Sequence, residues 1–426
     1  MPDNARVVVV GTTPDYIDWI RKKYPGRGLF LTDPELRQRA EEPFPGKEEE
    51  MLCPIDSGRI DTIVSALDDH LSQWGQHPTG VACFDCESME TAAMIAARYS
   101  LDYPGVGAIG NSRDKQACKR IWQANGVACP RSMRVNTLEQ VVGFMAGMEA
   151  GIVLKPSWGS GSELVFSCTT KADCERAFDA MVQGLAERAT RPLFKTNGGQ
   201  ACGILAEELV HGIEFSCDFI VENRAVTIVR TARKIKMAGK PFGTILGYEI
   251  PAPVLTGMAH GRLERLLFKG AAALGIERGI CMVDFIMHDD GPMLIEMTPR
   301  PGGDCLPFLL VESGNLDILG LTLDFAEKRP FILNGPHGFK PFMAVRIFAP
   351  RGGTLTGIDL NRLNDRADIR KIHLTRKPGH VITMPPQDYD SWLLGHVIVA
   401  LPHGLAGHSF DDFCLGISRL INVEIQ

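Results

Sequence analysis

The sequence predicts a molecule of mixed α/β and α+β class, built from about two to three domains. Three observations carry that expectation. The first 110 or so residues alternate β-branched runs with amphipathic segments. Beyond about residue 200, β-rich stretches follow one another with short breaks. The composition of the 426 residues, 45% hydrophobic and 23% charged, is that of a globular chain and excludes disordered or collagen-like architectures.

RVVVVG at 6–11 is a short β-branched run closed by glycine, and PDYIDWIRKKY follows with Ile17, Ile20 and Tyr24 at helical spacing. GLFLTD at 28–33 reads as a second strand, and the acidic, proline-bearing segment 34–50 as an exposed loop. RIDTIVSALDDHLSQW is an amphipathic helix, TGVACF at 79–84 a third strand, and SMETAAMIAARYSL a helix. Gly11 is followed by Thr-Thr-Pro, so the glycine pattern of a dinucleotide site is missing after the first strand.

From 111 the texture changes. NSRDKQACKRIWQANGV reads as one basic amphipathic helix, and IVLKPSWGSGSELVF at 152–166 as strand, small-residue loop, strand. KADCERAFDAMVQGLAER is a helix, followed by strands at 204–210, 214–222 and 225–232. Residues 261–275 form a helix, and MVDFIMHDDGPMLIEMTPR a hairpin. FMAVRIFAP opens the last region, which holds a turn at Gly352–Gly353, the strand HVIVAL and a final amphipathic helix.

Lys plus Arg is 45 against 51 Asp plus Glu, a net charge of −6 without the basic field of a nucleic-acid binder. No apolar run reaches the length of a membrane span, and Asp3, Arg6, Asp15 and Asp18 interrupt any signal-peptide core. The 12 cysteines lie mostly inside apolar runs, which fits reduced thiols in a cytoplasm. Cys83 and Cys86 form a C-x-x-C between a strand and a helix, for which ordinary packing is favoured over a redox role. His211, His260 and His288 stand isolated and receive no role.

The hairpin at 282–298 is the sharpest chemical signal. Its turn centres on Asp290, six residues from both Asp284 and Glu296, so a symmetric hairpin sets those acids opposite each other. Val283, Phe285, Ile295 and Met297 then point to the other face, where they can pack. Mg²⁺ is the natural ion between two such carboxylates, with Mn²⁺ as an alternative; ordinary surface acids on a solvated face fit the pair alone as well. Arg300, Gly302 and Gly303 follow in TPRPGG: an arginine suits a developing anionic oxygen, and glycines permit close backbone approach.

Lys155 precedes the small-residue loop SWGSGS, in which Gly159, Ser160, Gly161 and Ser162 could present backbone amides to phosphates. Read alone, such a loop is more often a hairpin turn. Glu207 and Glu208 end an apolar strand and Glu214 opens the next, acids that could accept from an adenine amino group or ribose hydroxyls but read more simply as edge residues. Lys115 alone reads as a solvated helix residue. Arg233, Lys234, Lys236 and Lys240 read as a solvated lid, with contact to phosphates or an anionic substrate, Arg233 foremost, as the alternative.

Taken in order, this constellation resembles the ATP-grasp superfamily, sharply over residues 111–303 and more faintly on both flanks. The resemblance implies three parts: a Rossmann-like open α/β domain at 1–110, an ATP-grasp module of two sheets at 111–335, and a small α+β subdomain at 336–426. It implies Lys115, Lys155 and Gly159–Ser162 at the ATP phosphates, Glu207, Glu208 and Leu209 near adenine, and Glu214 at the ribose. Asp284 and Glu296 match the metal ligands. Arg300 matches the catalytic arginine, with Gly302 and Gly303 beside the substrate.

KPSWGSGS, EIPAPV and EMTPRPGG look most like carboxylate–amine ligases that make dipeptides or D-alanyl-D-alanine, and the tail resembles amino-acid ligases. The implied activity joins a carboxylate to an amine with ATP cleaved to ADP and phosphate. Small-molecule substrates, a cytoplasmic location and no nucleic-acid or membrane partner go with it; a homodimer is the commonest closed assembly. Biotin-type carboxylation, purine-pathway ligation and a nucleotide-binding regulator with a decayed metal site are the alternatives. The chain departs from the pattern at Asp284, where glutamate is usual, at Thr298, where asparagine is usual, and at Tyr248, where histidine often stands. Threonine is the weaker ligand for a second metal.

Overall fold

The computed structural model describes residues 4–194, 202–237, 239–252, 258–333, 338–402, 404–405 and 409–426. Two residues of the EIPAPV stretch, Pro253 and Val254, lie outside the described residues. The N-terminal sheet has four parallel strands in the order Glu50–Leu52, Gly28–Thr32, Ala5–Val10, His77–Ala82. A parallel sheet is covered on both faces, so its strands are continuous apolar runs. Val7, Val8, Val9 and Val10 accordingly have no exposure at all.

The segment 34–50, expected as a plain loop, holds the helix Pro34–Gln38 capped by Asp33 and leads into the edge strand Glu50–Leu52. Arg37 donates from Nε to Glu50 at 2.9 Å and is buried with it. That ion pair makes the strand look polar in sequence. The single helix expected from 111 is two: Val106–Arg113 stops, and Asp114 caps Lys115–Ala124 by accepting from the amides of Gln116 and Ala117. The cap places Lys115 on the first turn, where its own amide donates to the carbonyl of Ser157 at 2.9 Å.

A small antiparallel sheet runs Ser132–Val135, Ile204–Glu208, Ile152–Pro156, Phe166–Cys168. Facing it across the cleft is an eight-stranded sheet. In order, it runs Gly291–Thr298, Gly279–His288, Ile213–Glu222, Ala225–Lys236, Ile245–Ile250, Phe342–Phe348, Leu393–Ala400, Ile369–Leu374. Strands from both sides of residue 336 therefore belong to one sheet. The strand Ala225–Lys236 outruns the expected 225–232, so Arg233, Lys234 and, past a bulge, Lys236 sit on a paired strand and not in a lid. The final helix, Ser409–Ser418, is followed by the strand Asn422–Ile425, which pairs with Gly353–Asp359 in a three-stranded sheet.

One core cluster joins Val7, Val9 and Phe30 of the N-terminal sheet to Leu309, Leu319 and Ile398. The apolar helices Leu306–Gly314 and Ile318–Ala326 thus dock the N-terminal unit on the large sheet. Among the described residues no single helix is long and apolar enough to cross a membrane. All 12 cysteines are free thiols.

Candidate functional site

The acidic hairpin pairs as expected, but by a different route. Its register runs His288 with Gly291 and Phe285 with Leu294, which would set Asp284 against Ile295; a bulge restores Asp284 opposite Glu296. Val283, Phe285 and Met297 are fully buried on the far face. Ile295 is the exception: the bulge turns it toward the cleft, where it lines the same cavity as Asp284 and Glu296.

Five lysines balance the acids of this cleft. Lys155 donates to Glu207 Oε1 at 2.8 Å. Lys119, fully buried, lies 3.2 Å from Glu207 Oε2 without hydrogen-bond alignment and donates to the carbonyl of Leu294 at 3.0 Å. Lys115 donates to the carbonyl of Gly159 at 2.5 Å and stands 3.7 Å from Glu296. Lys234 donates to Glu214 at 2.6 Å and to Asp284 at 2.7 Å, and Lys236 stands 3.0 Å from the second oxygen of Glu214.

The charges follow from burial set against these partners. Burial opposes ionisation of Glu214, but Lys234 and Lys236 outweigh it and hold the acid down to about 2. Burial likewise works against Glu296, whose side chain keeps 33% exposure to the cleft, and is outweighed by Lys115, Lys155 and Lys234. Asp284 is pushed up to about 6, because burial, Glu296 and Glu214 together exceed what Lys234 offsets.

The loop after Lys155 needs its small residues. Gly159 has φ +138°, Gly161 +70° and Ser162 +60°, backbone that side chains beyond glycine adopt at a cost. Across the cleft, a Cβ on Gly243 would lie 2.8 Å from Ser162 Oγ, so the two turns are already in close approach.

Two cavities meet here. One, of about 290 Å³, is walled by Val153, Leu209, Ile286 and Ile295, with Glu207, Glu208 and Glu214 around it. The other, of about 300 Å³, is lined by Arg113, Arg300, Gly302, Gly303, Asp304 and Arg346. Lys115, residues 159–162, Lys234, Asp284 and Glu296 line both. The first offers an apolar slot with an acidic rim leading to lysines and a glycine loop, and the second holds guanidinium groups.

In the second cavity Arg300 donates from Nε and Nη2 to Cys86 Sγ at 3.2 and 3.1 Å, and from Nη1 to the carbonyl of Pro301 at 2.7 Å. Cys86 of the C-x-x-C is thus the partner of the arginine. Beneath lies a fully buried pair, Arg230 with Asp218, with both bonds at 2.9 Å. The Gly302 amide donates to Asp218 at 3.0 Å, and a Cβ on Gly302 would meet Arg230 at 2.4 Å. The close approach demanded of that glycine is therefore to a buried arginine.

Arg233 lines neither cavity: it donates to Glu249 at 2.8 Å and to Asp411 at 2.7 Å. Alternation along the strand sends Lys234 and Lys236 to the cleft and Arg233 to the other face. Glu208 is held at the rim by a two-pronged contact from Arg131 at 3.2 and 3.1 Å. Sequence reasoning missed Lys119, Asp218, Arg230 and Arg346, and named Lys234 only among the basic residues of a lid. A charged residue inside an apolar run, as in IVRTA or SCDFI, was the available signal.

The donor set fits a hard divalent cation. Asp284 and Glu296 are paired at the junction of the cavities, and among the described residues no group of three or more potential ligands forms a cage. An ion held by two carboxylates completes its shell with phosphate oxygens and water, which suits Mg²⁺ and equally Mn²⁺.

Residues 148–307 match the family model of the ATP-grasp domain. The chain is 24% identical over 352 residues to the uncharacterized protein y4rH of Sinorhizobium fredii, covering 82% of this chain and 70% of that one. It is 24% identical over 259 residues to a D-alanine–D-alanine ligase of Ralstonia nicotianae, covering 58% and 73%. The crystal structure of an L-amino acid ligase from Bacillus licheniformis superposes with a TM-score of 0.74 at 18% identity, over 99% of this chain and 98% of that one. At that identity the likeness is one of fold.

Proposed function

We propose that the chain, whose residues 148–307 match the ATP-grasp family model, is an ATP-dependent ligase joining a carboxylate to an amine, with release of ADP and phosphate. The observation that carries this reading is the meeting of two cavities at one set of charged residues. A nucleotide in the first would bring its γ-phosphate to Lys115, residues 159–162 and Lys234, which also border the second.

In this reading Lys155 and Lys115 hold phosphate oxygens, and the loop amides screen their charge. Glu214, kept ionised by Lys234 and Lys236, accepts from ribose hydroxyls. Asp284 and Glu296 would hold Mg²⁺ or Mn²⁺, which supplies charge neutralisation at the phosphates when bound. A substrate carboxylate held at Arg300 attacks the γ-phosphorus; ADP leaves and an acyl phosphate forms. The amine then attacks the acyl carbon, phosphate leaves, and the Arg300 guanidinium steadies the oxygen on which negative charge develops. Gly303, with only the ends of Arg300 and Tyr16 near where a Cβ would stand, lets the backbone approach the substrate closely.

The test is release of ADP and phosphate from Mg²⁺-ATP across a panel of paired amino acids and small carboxylates, with Glu296→Ala as control. Turnover that requires both a carboxylate and an amine, and disappears in the control, is the expected result. Bicarbonate-dependent ADP release without an amine, or nucleotide binding without turnover across the panel, would overturn the reading.

A further inference from the structure

Of the lysines and arginines that line the two cavities, Arg113 alone makes no hydrogen bond or ion pair among the described residues. Lys115, Lys155, Lys234, Lys236, Arg300 and Arg346 each have a carboxylate, carbonyl or thiol partner. The partner of Arg113 is aromatic: its guanidinium carbon stands over the Trp158 ring, 4.9 Å from the centroid. A contact to an aromatic face spends none of the guanidinium N–H groups on an acceptor. Asp114, next in the chain, does not compensate the charge, because its carboxylate accepts from the amides of Gln116 and Ala117.

Both partners are firmly held. Arg113 ends the helix Val106–Arg113, which Asn111 ties to the carbonyl of Leu274 at 3.2 Å. Trp158 is 5% exposed, and Ser157 before it exchanges two bonds with Gly203. The Ser157 amide donates to the Gly203 carbonyl at 2.8 Å, and the Gly203 amide to the Ser157 hydroxyl at 3.0 Å. The Ser157 carbonyl also accepts from the amide of Lys115, and Gly159 follows Trp158 directly. Arg113, Lys115 and the loop 159–162 are thus positioned as one group. Lys115 and the loop border both cavities, whereas Arg113 borders the second only.

We propose that Arg113 is a further catalytic residue, whose guanidinium binds the oxygens of the phosphoryl group as it passes from ATP to the donor carboxylate. The inference rests on the part of the reading above that seats ATP in the first cavity. In the transfer a bond forms from a carboxylate oxygen to the γ-phosphorus. The bond from phosphorus to the β–γ bridging oxygen breaks, and its electron pair leaves on ADP. The moving group carries its charge on three equatorial oxygens, and catalysis consists of meeting that charge with fixed cations. A cation on the side of the attacking carboxylate meets it during the crossing and not while ATP rests in the first cavity. Its contribution therefore falls in kcat and not in the KM for ATP. Arg300, held by Cys86, stays with the carboxylate.

The probe is Mg²⁺-ADP with fluoroaluminate, which stands in for the transferring phosphoryl group and needs no ligation substrate. Binding to the full chain is read by titration calorimetry. Fluoroaluminate should tighten ADP binding to the wild type by about 10²-fold, as a mimic of the transition state does. Arg113→Ala should lose most of that gain while binding Mg²⁺-ADP alone as the wild type does, which also shows the variant to be folded. Arg113→Lys should keep part of the gain. With the acid–amine pair that turns over fastest, Arg113→Ala should lower kcat by a factor on the order of 10³ and leave the KM for ATP unchanged. Methylguanidine added to that variant should restore part of the rate.

An equal gain from fluoroaluminate in Arg113→Ala and the wild type, or none in the wild type, would overturn the proposal. A loss of rate confined to donors with a second carboxylate would overturn it too, since Arg113 would then be a substrate contact. No turnover with any acid–amine pair, beside the expected fluoroaluminate effect, would sink the ligase reading and leave Arg113 at the phosphoryl group. Failure of the wild type to bind Mg²⁺-ADP would sink both.

Discussion

The two cavities have nearly the same volume, about 290 and about 300 Å³, yet they are assembled in opposite ways. The cavity proposed for the nucleotide comes from one continuous stretch of chain between Lys115 and Glu296, with each acid matched to a lysine or arginine nearby. The second cavity draws Cys86 and Met89 from the N-terminal unit, Arg300 from the hairpin's end, and Arg346 and Trp392 from the last region. Its cations outnumber its acids. A site built locally can be fully compensated before any ligand arrives, whereas one built at a junction of distant segments keeps unspent charge for substrates.

The largest expected effect falls under the second cavity. Arg230→Ala leaves Asp218 as a buried carboxylate without its partner and should destabilise the protein by about 3–5 kcal/mol, read by denaturant unfolding. Replacing both residues, Arg230→Met with Asp218→Leu, should recover much of that stability. It would still release the Gly302 loop and raise the substrate KM while leaving the KM for ATP alone. A double variant that lost ATP affinity to the same degree would break the separation between the two sides.

Arg300→Ala comes next, with an expected loss on the order of 10²–10³ in kcat and little change in nucleotide affinity. An unchanged kcat would remove Arg300 from the chemistry. Lys155→Ala is the counterpart: it should weaken nucleotide binding first, because it leaves Glu207 with only Lys119.

Acid should act on the second wall. His396 pairs in register with Arg346 and is 2% exposed. Burial, then His373, Lys371 and Arg346, lowers it from 6.5 to about 3. A value depressed in the folded state means its contribution to stability is complete above 6.5 and is lost as the pH falls toward 3. At pH 5 the loss should be about 2 kcal/mol, the free energy of holding the ring neutral. His396→Phe should show a smaller drop in unfolding free energy between pH 7 and pH 5. Equal drops in both proteins would place the acid sensitivity elsewhere.

The same contrast explains what could be read in the sequence. Local order exposed the lysines, the glycine loop and the acidic hairpin, since residues close in sequence along strands and turns become neighbours by geometry. Even there, one-residue details escaped. The hairpin turn sits half a residue from its expected centre and is corrected by a bulge at Ile295. Arg233 faces Glu249 while its neighbour Lys234 faces the cleft, because a shift of one residue along a strand reverses the face. The edge strand Glu50–Leu52 is three residues long and its acid is masked by Arg37, so hydropathy could not find it. Arg346 and Cys86 reach the site only through tertiary docking, which no periodicity encodes.

Cys86 offers the smallest effect and the finest test of the comparison. Its sulfur accepts two N–H groups of Arg300 and faces the second cavity only. Cys86→Ser retains an acceptor at a slightly longer reach, so kcat should fall by less than about tenfold, under roughly 1.4 kcal/mol. Cys86→Ala removes the acceptor and should cost more, in kcat rather than in the KM for ATP. Alkylation of the wild type by iodoacetamide should inactivate it, with protection by the donor carboxylate and not by ATP alone. Protection by ATP alone would mean that the nucleotide reaches past Lys115 into the second cavity, and that the two compartments act as one.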